Sequence, residues 1–297
     1  VNWCPGRPGT SLVGMELAGI FVPLITPFTA DDHVDVDALA GLAHQVIADG
    51  ASGLVALGTT AEVSALDAGE RATVVEVCAS VARELHVPLV VGAGGSATAA
   101  SVRDLAALTR PEITAAMTLV PPFTRPSEAG VVEHFRVLAE ASPVPLIVYN
   151  VPYRTALSLS AETVLRIADL PRVIGTKHSV GAVDPATVAI LGRRPPGFAV
   201  MAGDDVLVSP LLALGAAGGI LASAHLRTAD FVELATAWRK GEADRARALG
   251  HDLADLSAKL FAEPNPVVIK AVLHAHGRIA TPNVRLPLLP ATAVPTV

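Results

Sequence analysis

The chain has 297 residues, 51% hydrophobic and 17% charged, which supplies a large core and excludes a disordered polymer. A net charge of -6, with acids and bases interspersed, leaves no basic stripe for a nucleic-acid backbone. Cys4 and Cys78 are the only cysteines and have no paired spacing, which argues against a disulfide framework or a thiolate metal site and points to a reducing compartment, the cytoplasm.

Residues 1–14 contain Pro5, Gly6, Pro8 and Gly9 without a basic region followed by an apolar one, so they read as a disordered extension ahead of Met15 and not as a secretory signal. Short runs rich in Val, Ile and Leu then alternate with stretches of helical period, the signature of βα units around a parallel sheet. Eight strands are expected, near 20–25, 53–57, 88–92, 115–120, 145–149, 172–177, 198–202 and 218–222. Helices are expected between them near 35–49, 67–84, 97–109, 127–141, 160–169, 184–191 and 206–214, several opened by a capping residue such as Asp67, Ser127 or Ser160. Residues 206–226 lack any charge and are long enough to span a membrane, but Pro210, Gly215, Gly218, Gly219 and His225 interrupt them, which favours a buried helix, a turn and a strand. Three more helical patterns follow near 228–240, 242–261 and 265–277, before a proline-rich tail from Pro282 to Pro295.

The rhythm predicts a (β/α)8 TIM barrel over residues 15–226 with a C-terminal helical extension over 227–297. A doubly wound open sheet is the competitor. Its dinucleotide fingerprint is incomplete, because Gly92-Ala93-Gly94-Gly95-Ser96 lacks the third glycine and reads better as a tight turn.

In such a barrel the active site gathers at the C-terminal ends of the strands, so the polar residues there can be compared. Lys177 ends the apolar run Arg172-Val173-Ile174-Gly175-Thr176-Lys177, where a charge needs a reason. The chain has four lysines against eighteen arginines, and a lysine kept on a buried strand suggests that an amine able to lose its proton is wanted. Burial disfavours an ammonium and leaves more free amine to attack a carbonyl. A strand-end lysine snorkelling to water is the competing reading. Strand two ends in Gly58-Thr59-Thr60-Ala61-Glu62, whose hydroxyls and backbone N–H groups can hold a carboxylate, or else form a capping turn closed by Glu62. Strand five ends in Tyr149-Asn150-Val151-Pro152-Tyr153-Arg154. Tyr149 can pass a proton or serve as an amphipathic core residue, and Arg154 offers a planar fork for a second carboxylate or sits solvated on a loop.

These stretches, with Thr26-Pro27-Phe28, Leu66, Glu70-Arg71, Arg125-Pro126, His134-Phe135, Gly203-Asp204-Asp205, Asn265-Pro266, Lys270 and Leu286-Pro287-Leu288, give the chain a resemblance from about residue 19 to 290. It resembles the dihydrodipicolinate synthase and N-acetylneuraminate lyase family of Schiff-base lyases. The resemblance implies that Lys177 forms an imine with pyruvate or a similar 2-oxo acid, which then becomes an enamine that adds to an aldehyde. It also implies that Tyr149 and Thr59 relay protons, Thr60 holds the pyruvate carboxylate, and Gly203 and Ile220 line the pocket. Arg154 matches the arginine that receives the carboxylate of aspartate semialdehyde in the synthase branch, so that branch is favoured. No cofactor is implied, since the lysine imine is itself the electron sink. The expected assembly is a homotetramer, a dimer of dimers, acting on small molecules, with no nucleic acid or membrane as partner.

The chain departs from the family pattern in three places. Pro122-Phe123 replaces a tyrosine pair whose second member is lent as a relay residue across a subunit interface, Ala61 stands at a usual glycine, and His178-Ser179 replaces Glu-Ala. Ala68, Arg71, Ser96, Ala100 and Pro122 occupy the positions of the lysine-feedback pocket of regulated members, which implies no strong inhibition by lysine. Two alternatives stay open: an aldolase or dehydratase for a 2-oxo-3-deoxy sugar acid, and a 2-oxo-acid binding module without catalysis. For a metal the pattern is poor, because His274-Ala275-His276 puts its two rings on different sides of a helix.

Overall fold

A computed structural model describes residues 17–297. The expected extension over 1–14 lies outside the described residues. Eight parallel strands close into a barrel in sequence order: β1 (Gly19–Pro23), β2 (Gly53–Ala56), β3 (Leu89–Gly92), β4 (Ile113–Leu119), β5 (Leu146–Asn150), β6 (Val173–His178), β7 (Ala199–Ala202) and β8 (Gly218–Ile220). Both faces of every strand are covered, which is why the strands read as near-continuous apolar runs with no polar alternation.

The helices are α1 (Val36–Ala48), α2 (Ala68–Leu85), α3 (Thr98–Ala106), α4 (Glu128–Ala141), α5 (Pro152–Thr155), α6 (Ala161–Ala168), α7 (Pro185–Arg193), α8 (Val208–Ala213), α9 (Ala224–Lys240), α10 (Ala243–Leu260) and α11 (Val267–Ala275). Their starts follow the capping residues. Asp67 accepts from the Glu70 N–H at 2.8 Å while Glu70 accepts from the Asp67 N–H at 2.9 Å, a full capping box, and Ser127 and Ser160 cap α4 and α6. The uncharged stretch breaks as its glycines require, into a 3-10 turn at Asp205–Leu207, α8, and the short β8. That strand ends at Ile220, two residues sooner than expected, because the chain turns at Leu221-Ala222 into α9. α9 packs on β1 and α1 and is the eighth helix of the ring; α10 and α11 form the extension beyond it. Among the described residues no helix is long and apolar enough to cross a membrane.

Two apolar clusters hold the fold. One fills the barrel with Phe21, Val55, Val90, Met117, Ile147, Met201 and Ile220, and the larger lies between strands and helices. At the top of the seam between β1 and β8, His225 is fully buried. Its Nδ1–H donates to the Ala222 carbonyl at 2.8 Å and its Nε2 accepts the Ile25 N–H at 3.2 Å, a pair of contacts only the neutral ring can make. Burial pulls this imidazole down to about 4, and does the same to His178 beneath α7.

A histidine depressed in the folded state favours folding above its unfolded pKa. On acidification from pH 6.5 to about 4 the unfolded chain binds the extra proton, so each of these two rings removes up to about 3 kcal/mol of stability over that window and none below it. In an NMR titration both ring signals are expected to move with midpoints near 4; midpoints near 6.5 would contradict the buried neutral assignment.

Candidate active site

Lys177 lies one residue before the end of β6, in register with Tyr149 on β5 and Met201 on β7. Because side chains alternate across a strand, Lys177 points into the barrel mouth while His178 turns outward to Thr187 on α7, with Nε2 to Oγ1 at 3.0 Å. The lysine is 6% exposed, and among the described residues its amine makes no hydrogen bond or ion pair. Its Nζ stands 4.6 Å from the centroid of the Tyr149 ring. The amine opens into a cavity of about 590 Å³ at the C-terminal rim, whose wall includes Thr59, Thr60, Tyr149, Arg154, Ser179 and Gly203. Gly203 is required there: a Cβ on it would meet Cγ of Lys177 at 2.8 Å and Cε at 3.0 Å. Arg154 holds its guanidinium 4.8 Å above the ring of Tyr153, at the outer edge of the cavity.

The two threonines sit on a 3-10 turn, Thr59–Ala61, that ends on Glu62 in the left-handed conformation at φ 54. A non-glycine residue takes that conformation at a cost, and the surroundings fix it. The Glu62 carboxylate accepts from Lys270 Nζ at 2.5 Å and from the Arg285 N–H at 2.9 Å, and Thr26 donates to the Ala61 carbonyl at 2.8 Å. Lys270 is completely buried, also donates to the Asn283 carbonyl at 2.8 Å, and lies 4.0 Å from the Phe28 ring centroid. Burial pulls its amine below the ordinary lysine value, against the upward pull of Glu62. Arg285 adds a two-pronged grip on Glu70, whose carboxyl it holds down to about 2. Finally, Asn265 donates from Nδ2 to Thr60 Oγ1 at 2.9 Å. The hydroxyl that faces the cavity is thereby held from a loop 205 residues further along the chain.

Across the cavity from these threonines lie Asp204 and Asp205. Burial raises both carboxyls, Asp205 to about 6, although the Gly181 N–H donates to Asp204 at 2.7 Å and the Ser223 N–H to Asp205 at 2.6 Å.

The structure therefore brings Lys177, Tyr149, Thr59, Thr60, Arg154 and Gly203 to one cavity. Ile220 is not in its wall. It is fully buried in the barrel cluster with Tyr149 and Met201, and Ala222, two residues on, is the member of that segment that reaches the cavity. Asn265, Glu62, Lys270 and Arg285 form a support with no local sequence signal for it, since their contacts span more than 200 positions.

Fold and cavity together define a barrel enzyme with a lone lysine amine at the mouth, beside a phenol and a hydroxyl-bearing turn. The chain belongs to the dihydrodipicolinate synthetase family, whose profile matches residues 16–294. It is 36% identical over 275 residues to the 4-hydroxy-tetrahydrodipicolinate synthase of Azobacteroides pseudotrichonymphae, covering 92% of each chain. It is 33% identical over 276 residues to 4-hydroxy-tetrahydrodipicolinate synthase 2 of Clostridium acetobutylicum, covering 93% of this chain and 96% of that one. The crystal structure of dihydrodipicolinate synthase from Aquifex aeolicus superposes with a TM-score of 0.87 at 32% identity, covering 93% of both chains.

Breaking the buried ion pair at one end leaves an uncompensated charge. Lys270→Met is expected to cost about 3–5 kcal/mol of unfolding free energy in a denaturant titration, and the double variant Glu62→Gln/Lys270→Met less than the sum of the two singles. Strict additivity in the cycle would show that the pair is not coupled.

Proposed function

We propose that the chain joins pyruvate to an aldehyde through a covalent imine on Lys177, with L-aspartate semialdehyde as the acceptor, the reaction for which its relatives are named. The observation that carries this reading is the unpaired Lys177 amine, cross-strand from Tyr149 and facing the Thr59–Thr60 turn over one cavity.

The amine adds to C2 of pyruvate, the Tyr149 phenol gives its proton to the departing hydroxyl, and water leaves, giving a protonated imine and a phenolate. That cation draws electrons from C3, so a methyl proton passes to the Tyr149 and Thr59 oxygens and an enamine remains. The enamine carbon attacks the aldehyde carbon. A carbon–carbon bond forms, the carbonyl electron pair moves to oxygen, and the proton held by the relay returns to that oxygen. The acceptor's own amine, or water, then displaces Lys177 from C2 and restores the free lysine. Thr60 and its backbone hold the pyruvate carboxylate, Arg154 receives the acceptor's carboxylate, and Gly203 leaves room for the lysine stem. The imine supplies the electron sink, so the scheme needs no metal or cofactor.

The same reading carries a homotetramer working in the cytoplasm. Phe123, 88% exposed on the loop after β4, is the kind of side chain a second subunit covers. A 2-oxo-3-deoxy sugar acid uses the same imine and differs only in the acceptor.

Borohydride reduction in the presence of pyruvate is expected to add one pyruvate-derived group to the protein and none to Lys177→Ala; an unmodified parent sinks the proposal. A panel of aldehydes read by pyruvate consumption ranks the acceptors, and turnover of a sugar acid without turnover of aspartate semialdehyde reverses the order given above. Arg154→Ala is expected to raise KM for aspartate semialdehyde about 10- to 100-fold and leave KM for pyruvate within about twofold, from the loss of a charge-assisted pair.

A further inference from the structure

Ser179 follows β6 and carries a side-chain oxygen that the fold leaves without a partner. The residue is 2% exposed, its Oγ makes no hydrogen bond, and it belongs to the wall of the Lys177 cavity. Its backbone is fixed: its N–H donates to the Asn150 carbonyl of β5 at 2.8 Å, and the next strand is tied alongside by the Gly203 N–H to the His178 carbonyl at 2.9 Å. A buried hydroxyl left unpaired is costly, and a site that removes a polar atom from water without a protein partner is built for a ligand to complete. Among the described residues, two in the cavity wall have such an atom, Ser179 and Asn265, and the other end of Asn265 is already spent on Thr60. Ser179 is the one beside the reacting amine. A methyl group placed on Gly203 would run into both the Ser179 hydroxyl and the Lys177 stem, so the two side chains lie against the same backbone atom.

The geometry also says which part of the substrates arrives there. The Thr59–Thr60 turn follows β2, on the opposite side of the barrel from β6. A 2-oxo acid with its carboxylate on that turn and C2 on Lys177 leaves the space over the β5, β6 and β7 loops for the acceptor, between Arg154, Ser179 and Asp204. With the acceptor's carboxylate on Arg154, its aldehyde end falls toward Ser179.

We propose that the Ser179 hydroxyl donates a hydrogen bond to the aldehyde oxygen of the acceptor while the carbon–carbon bond forms, which makes Ser179 a catalytic residue for the condensation and not for imine formation. This rests on the imine reading above. The enamine pair becomes the new bond, the carbonyl pair moves onto the acceptor oxygen, and Ser179 stabilises that developing alkoxide until it takes the proton from the relay; Ser179 keeps its own proton throughout. A donor aimed at the place where charge develops acts on the transition state more than on the bound substrate.

The test compares the parent with Ser179→Ala in three measurements: borohydride trapping with pyruvate alone, exchange of the pyruvate methyl protons in D2O, and turnover with whichever of L-aspartate semialdehyde and D-glyceraldehyde the parent uses. Trapping and exchange are expected within about twofold of the parent, with kcat for the condensation lowered about 10- to 100-fold. The thermal midpoint is expected to hold or rise, because the alanine removes an unpaired buried hydroxyl. Condensation at the parent rate overturns the proposal, as does loss of trapping together with turnover, which makes Ser179 a structural residue. A parent that gives no adduct at all overturns the imine reading itself, a result visible before any variant is compared.

Discussion

The rim chemistry depends on how closely β8 can approach β1. A Cβ on Gly218 would meet the backbone of Gly19, with its N at 2.6 Å and its carbonyl carbon at 2.7 Å, so the seam of the barrel closes only because position 218 has no side chain. Once closed, the parallel register leaves no freedom at the top. Tyr149 must stand beside Lys177, and Met201 on its other side, because all three are cross-strand partners in a sheet with no edge to slip from. The distance between amine and phenol is thus a property of the barrel and not of the loops around it.

The other half of the cavity is held differently. The threonine turn follows a strand but takes its shape from the C-terminal extension, through a buried lysine, an arginine backbone N–H and an asparagine amide. Ion pairs removed from water contribute little net stability, yet they fix geometry strongly, since any displacement leaves a charge without its partner. Two kinds of support therefore meet at one cavity: apolar packing and sheet register under the lysine, and a buried polar lattice under the hydroxyls.

This division decides what could be read from the sequence. The strands were legible because a sheet covered on both faces imposes unbroken apolar runs, and the starts of α2, α4 and α6 because Asp67, Ser127 and Ser160 carry their caps locally. Lys177 stood out for the same reason, as a charge on an apolar run. Ile220, which the resemblance assigns to the pocket, packs in the barrel cluster with Tyr149 and Met201, and Ala222 is the member of its segment in the cavity wall. The short helix Pro152–Thr155 carries no periodic signal, and the lattice of Glu62, Asn265, Lys270 and Arg285 has none either. Glu62, Asn265 and Lys270 stand in the stretches that carry the family resemblance, but only the tertiary fold joins them and Arg285 into one unit.

That arrangement has a consequence for synthesis on the ribosome. All eight strands, and the lysine with its phenol, lie before residue 221, whereas the groups that hold the Thr60 hydroxyl and the Glu62 end of its turn are not translated until residues 265 to 285. A nascent polypeptide can close its sheet and set the Lys177 amine beside Tyr149 while the Thr59–Thr60 turn still lacks its support, so the cavity is completed only when residues 265 to 285 leave the exit tunnel and dock.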